Sequence, residues 1–116
     1  MANNIEIVKP ITITVDGMNY TLEFNRNSVV SAEKAGFRAE LIGEQPMTQL
    51  PLLFYAAFKK NHPTITREQT DDILFNKMKG LNQSVIERLA QLYAEPTKCL
   101  IRTDDYGDEK NVTISL

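Results

Sequence analysis

The sequence holds few of the residues that usually announce a chemistry. Its 116 residues contain one cysteine, one histidine and no tryptophan. Cys99 has no partner for an internal disulfide, which points to a reducing compartment. A metal centre needs several ligands at compatible spacing, and His62 and Cys99 lie far apart in the chain. The five glycines stand singly at turns or helix ends. No glycine-rich loop cradles a phosphate, and no Gly-x-Ser-x-Gly elbow presents a nucleophile. A Ser-His-Asp set assembled in three dimensions is left open by spacing alone.

Excess charge of one sign is missing too. Thirteen basic residues face fifteen acidic ones, for a net charge of −2. The cations are scattered singly or in pairs such as Lys59–Lys60, whereas a phosphate-tracking surface needs a cluster. Nucleic acid is therefore not an expected partner. The longest apolar run is Leu50–Phe58, nine residues, against about 20 for a membrane span. The N-terminal MANNIEIVKP lacks the basic start and apolar stretch of a signal peptide. A soluble protein of the cell interior is expected, with no membrane partner.

What is present reads as one small globular domain: 42% hydrophobic and 24% charged residues, ordinary values for such a chain. Apolar residues alternate at Ile5, Ile7, Ile11, Ile13 and Val15, a period of two that predicts one half-buried strand or two short ones. Pro10 donates no ladder bond and marks an edge or a bulge. Asp16-Gly17 supplies a two-residue hairpin turn. Met18, Tyr20, Leu22 and Phe24 then alternate in their turn, so both arms present an apolar face.

Helical spacing follows. A short helix from Asn27 or Ser28 to about Ala35 is closed by Gly36, with Phe37 packing back over its end. A polar connector runs to Pro46, with an extra turn around Ala39–Ile42. Thr48 is placed to cap the next helix, with Pro51 in its first turn and the end before Pro63. Thr66-Arg-Glu-Gln69 is a capping box opening a helix to Gly80 with apolar Ile73, Leu74, Phe75 and Met78. A last helix from Asn82 or Ser84 carries Val85, Ile86, Leu89, Leu92 and Tyr93, with Pro96 as its stop. Beyond it, Cys99–Arg102 and Asn111–Leu116 are β-like runs that fit a second hairpin or a disordered end. The expected fold is α+β: an N-terminal antiparallel hairpin over residues 5–24, packed on three to four helices over 28–95. A variable tail, 97–116, offers a short strand or hairpin.

The candidate functional groups are weighed against structural roles. His62, at the end of an apolar helix, fits a capping imidazolium better than a general base or ligand. Asp71-Asp72 lies near a helix start, where the dipole favours negative charge. The loop Asp104-Asp-Tyr-Gly-Asp-Glu109 has a calcium-loop flavour but lacks the alternation of ligands and the closing glutamate. No catalytic, cofactor or metal residue is assigned, and an enzyme is disfavoured. On the helix around Leu50–Phe58, a stripe of Leu50, Leu53, Phe54, Ala57 and Phe58 suits the core. The flank Leu52, Tyr55 and Ala56, with Phe58 at its end, is the candidate partner surface.

The combination of the hairpin Val15-Asp-Gly-Met-Asn-Tyr-Thr-Leu-Glu-Phe24, the helix end Ala35-Gly-Phe37, the stretch Pro51-Leu-Leu-Phe-Tyr-Ala-Ala-Phe58 with His62-Pro63, and Leu92-Tyr-Ala-Glu-Pro96 resembles a known group. It is similar to the tail assembly chaperone-like proteins of long-tailed, siphovirus-type bacteriophages and prophages, over about residues 12–96. The resemblance implies a non-enzymatic protein of the host bacterial cytoplasm. Such a protein coats the helical tape measure protein while tail tube subunits polymerise, then leaves. It brings no catalytic residues. Partners implied are the tape measure protein, the tail tube protein and further copies of the same chain. The alternative is a structural tail or connector component retained in the virion, which mass spectrometry of purified particles would detect. A third reading is a small enzyme or regulatory domain whose site assembles only on folding.

Overall fold

The computed structural model describes residues 8–98, 100 and 115–116. It is an α+β fold: a two-stranded antiparallel hairpin followed by four helices. The strand expectation at Ile5 and Ile7, Cys99, the acidic loop at 104–109 and nearly all of the expected second hairpin lie outside the described residues.

β1 (Ile11–Val15) pairs with β2 (Met18–Leu22), Val15 opposite Met18 and Ile11 opposite Leu22. Asp16 (φ 51°) and Gly17 (φ 81°) both take left-handed backbone. Two positive φ values make the mirror-image turn whose twist matches a hairpin, and Asp-Gly tolerates it best. Ile11, Ile13 and Val15 are half-buried while Thr12 and Thr14 are exposed, as a period of two requires.

α1 (Arg26–Lys34) begins two residues earlier than a cap at Asn27 would require, and three earlier than one at Ser28. The cap is Asn25, whose side chain accepts from the Ser28 N–H while Ser28 Oγ accepts from the Asn25 N–H, both at 2.8 Å. Ser28 is the reciprocal partner in the third helical position. Gly36 follows the helix, and the Phe37 N–H closes it on the Ala32 carbonyl at 2.9 Å. Phe37 is buried and stacks edge-on against Tyr93 at 4.8 Å. Phe24 meets the same tyrosine at 5.3 Å. Burial raises the Tyr93 hydroxyl pKa, with Glu33 and Glu40 adding to it.

α2 (Pro46–Phe58) starts at Pro46 rather than after Thr48, so Pro51 sits in its second turn. Proline at the first position loses nothing, because that N–H has no intrahelical acceptor. Pro51 forfeits the bond to the Met47 carbonyl, and its ring is buried. The helix ends at Phe58, ahead of Pro63. Leu53, Phe54, Ala57 and Phe58 are fully buried, while Leu50 is only partly so. Each large side chain so buried contributes about 1.5–3 kcal/mol, which makes this helix the axis of the core.

α3 (Arg67–Asp72) opens with the expected capping box, Thr66 with Gln69. It does not run on regularly to Gly80. From Ile73 to Lys77 it widens into a π-turn, with the Met78 N–H on the Ile73 carbonyl at 2.8 Å. Lys79 and Gly80 then turn left-handed (φ 58° and 102°), and the Gly80 N–H closes on the Leu74 carbonyl at 2.9 Å.

α4 (Gln83–Lys98) is entered through Asn82, whose Oδ1 accepts from the Val85 N–H at 2.9 Å. Leu89 and Leu92 are buried, with Val85, Ile86 and Tyr93 beside them half-buried. Pro96 is not the stop; the helix continues to Lys98. Proline there leaves the Leu92 carbonyl without its helical donor, and the helix runs on for two more residues. Lys98 adds a 2.9 Å ion pair to Glu95 across the last turn.

Candidate functional site

Among the described residues, the polar side chains singled out from the sequence make contacts within the fold. His62 Nε2 accepts the Thr21 N–H at 3.1 Å, with its ring edge-on to Tyr20 at 5.1 Å. The expected capping ring is corrected: the imidazole serves the outer edge of β2, and it is the His62 backbone N–H that closes the helix end, on the Phe58 carbonyl at 2.7 Å. Asn61 Nδ2 donates to the Thr21 carbonyl (3.1 Å) and to Glu23 (3.0 Å). The Glu23 N–H reaches the Ala57 carbonyl at 3.0 Å, and Lys60 pairs with the Glu23 carboxylate at 3.1 Å. The Asn61 hydrogen bond, helped by Lys60 and opposed by burial, holds the Glu23 carboxyl below its ordinary 4.5.

The paired acids are likewise engaged. Asp71 takes the Arg67 guanidinium at 3.0 Å, and Asp72 accepts from Asn76 at 2.8 Å. Among the described residues, no group of three or more His, Cys, Asp or Glu is placed to hold a metal ion. A polar hollow of about 250 Å³ lies between the start of α1 and the end of α2. Four of its six lining residues are already paired: Asn25 and Ser28 in the cap, Lys59 with Tyr55 and Pro63, Lys60 with Glu23.

The flank read from sequence divides. Ala56 is 3% exposed and Phe58 0%, so neither is open to a partner in this structure. Phe58 faces Tyr20, Phe54 and His62 instead. The hairpin covers that side of the helix end, which the helical wheel by itself does not reveal. Leu52 and Tyr55 remain half-open. The Tyr55 hydroxyl accepts from Lys59 Nζ at 3.3 Å, and that ammonium also lies 5.2 Å from the ring centre.

The open apolar surface is at the other end of α2. Pro46, Met47, Leu50 and Pro51 form one wall of a cleft of about 180 Å³. Leu74 and Phe75 of the π-turn and Gly80 and Leu81 after it form the other. Its lining is almost wholly apolar. An apolar cavity of about 150 Å³ takes a benzene-sized group, so this one admits a large aliphatic or aromatic side chain. Met47 (75% exposed) and Phe75 (46%) stand at its mouth. Gly80 supplies the left-handed turn that brings Leu81 round, a backbone that side-chain-bearing residues rarely adopt.

The π-turn is held from outside by Lys77, whose ammonium meets Asp16 of the hairpin turn at 3.0 Å. That hydrogen bond, with the charges of Asp16 and Asp72, raises the Lys77 pKa. The cleft is thus framed by α2, the π-turn and the Gly80–Leu81 corner, and the hairpin tip braces the π-turn through Asp16.

Met47 and Phe75 were not among the residues singled out from the sequence for partner binding. At about 100° per residue, Thr70, Ile73, Leu74 and Met78 share one face and Phe75 falls well outside it. An aromatic displaced from its stripe was the available signal. Met47 was hidden by assigning the helix start to Thr48.

No helix among the described residues is long and apolar enough to cross a membrane. No curated protein and no solved structure matches the chain. One family model does match, over residues 1–116, described as a domain of unknown function; the chain belongs to that family, DUF5055.

Proposed function

We propose that this protein is a non-enzymatic phage tail assembly chaperone. It holds an amphipathic helix of the tape measure protein by its apolar face while the tail tube assembles in the host cytoplasm. One observation supports this most: the apolar cleft between α2 and the π-turn, with Met47 and Phe75 exposed at its mouth. A helical client is recognised by a groove that accepts apolar anchors at 3,4 spacing. Methionine suits such a groove because its flexible thioether adapts to irregular surfaces. π-turns recur at functional sites, and here one turns Phe75 outward. Tyr55, one helical turn beyond Pro51, extends the same side of α2.

A single cleft for one or two side chains gives weak, reversible contacts, which a chaperone that must leave requires. Tight binding would trap the client. Co-expression with the tape measure protein encoded beside it tests the reading. The expected result is a soluble complex with a client that is otherwise aggregated. Neither complex nor gain in solubility would overturn it.

A further inference from the structure

The two edges of the hairpin are treated differently. Across the two-residue turn, Val15, Ile13 and Ile11 exchange hydrogen bonds with β2. Thr12 and Thr14 therefore aim their N–H and C=O groups away from it. On β2, the outward groups of Thr21 are taken by His62 and Asn61, and only those of Asn19, beside the turn, have no partner among the described residues. On β1, the outward main-chain groups of Thr12 and Thr14 have no hydrogen-bond partner among the described residues, and both residues are exposed. An unpaired edge of this kind is a template for another strand.

We propose that the β1 edge pairs antiparallel with β1 of a second copy, Thr12 opposite Thr14, about a two-fold axis at Ile13. This does not depend on the proposed function. The register follows from the sequence. Only the outward residues can exchange bonds, and this alignment uses all four of their groups in each copy. It sets Ile11 opposite Val15 and Ile13 opposite its own counterpart, extending the half-buried apolar face across the junction. A slip of one residue would put apolar side chains against threonines. A slip that pairs Thr12 with itself would set Thr14 against Pro10, which has no N–H to give.

Charge favours the same arrangement. Lys9 precedes the strand and Asp16 follows it. Antiparallel pairing brings Lys9 of each copy toward the other's Asp16, which also keeps its own Lys77 at 3.0 Å, whereas parallel pairing would align Lys9 with Lys9. The shared edge is short and buries far less than a standard interface of about 1,600 Å². The dimer is therefore weak and concentration-dependent.

Sedimentation velocity on the full chain, across a concentration series, tests this. The wild type is expected to shift from monomer toward dimer as concentration rises. Thr12→Pro removes an outward donor without touching the bonds to β2, and should remain monomeric with an unchanged urea midpoint. The exposed double variant T12K/T14K sets like charges opposite each other and should weaken association about tenfold or more. T12K/T14D sets opposite charges together in this register and should restore association to the wild-type range. A wild type that stays monomeric throughout would overturn the proposal, leaving the edge to the chain's own tail or to a partner's strand. A dimer that T12K/T14K leaves unchanged would overturn it too, placing the contact on another face.

Discussion

At its C-terminal end, α2 lays Leu53, Phe54, Ala57 and Phe58 into the core, and the turn beyond it ties down β2 through Asn61 and His62. At its N-terminal end the same helix offers Pro46, Met47, Leu50 and Pro51 to a cleft that nothing among the described residues fills. The two halves have much the same apolar character. What separates them is cover: the hairpin closes one end, while the π-turn and the Gly80 corner hold the opposite wall away from the other. Apolar composition alone therefore does not decide between core and contact surface. The neighbouring elements do.

The largest effect should come from breaking the closed end. Phe58→Ala removes a fully buried ring wedged between Tyr20, Phe54 and His62. A loss of about 3–5 kcal/mol is expected, read as a lowered midpoint in urea unfolding. Next is His62→Ala, which strands the Thr21 N–H on the edge of β2. About 1–3 kcal/mol should be lost, with faster amide exchange at Thr21.

Glu23 sharpens the comparison through pH. Its folded carboxyl titrates below the ordinary 4.5, chiefly because Asn61 donates to it, with Lys60 adding its own pull. The folded state thus binds the proton less well than the unfolded chain. Its stabilisation is present above the unfolded titration and is lost as pH falls through the folded one. The stability gap between wild type and Glu23→Gln should be at most about 1 kcal/mol near neutrality for so accessible a pair. It should close on acidification, as urea midpoints along a pH series would show. The smallest stability effect belongs to the open end: Met47→Ala should change unfolding by no more than about 0.5 kcal/mol.

Much of this fold was legible in the residues. Asp16-Gly17 between alternating runs, Thr66 with Gln69, and the 3,4 stripe of α4 each carry their own local rule, and local rules survive folding. Pro51 and Pro96 misled because the first was read as a first-turn residue and the second as a stop. In the structure Pro51 gives up one helical bond while its ring is buried, and Pro96 gives up one while the helix runs on for two more residues. The candidate site was less legible. Ala56 and Phe58 were drawn from a helical wheel, which does not show that the hairpin would cover Phe58 or that Ala56 would be buried. The π-turn has no sequence signature of its own here, so the outward placement of Phe75 became clear only with α2 beside it.

The central claim is that the open end of α2 is a client surface. Copurification of the tape measure protein with the Met47→Ser/Phe75→Ser double variant, beside wild type and Leu52→Ser, tests it most directly. The variant should keep its urea midpoint yet lose the client, with Leu52→Ser retaining it. A double variant that stays folded and carries as much tape measure protein as wild type would contradict the assignment.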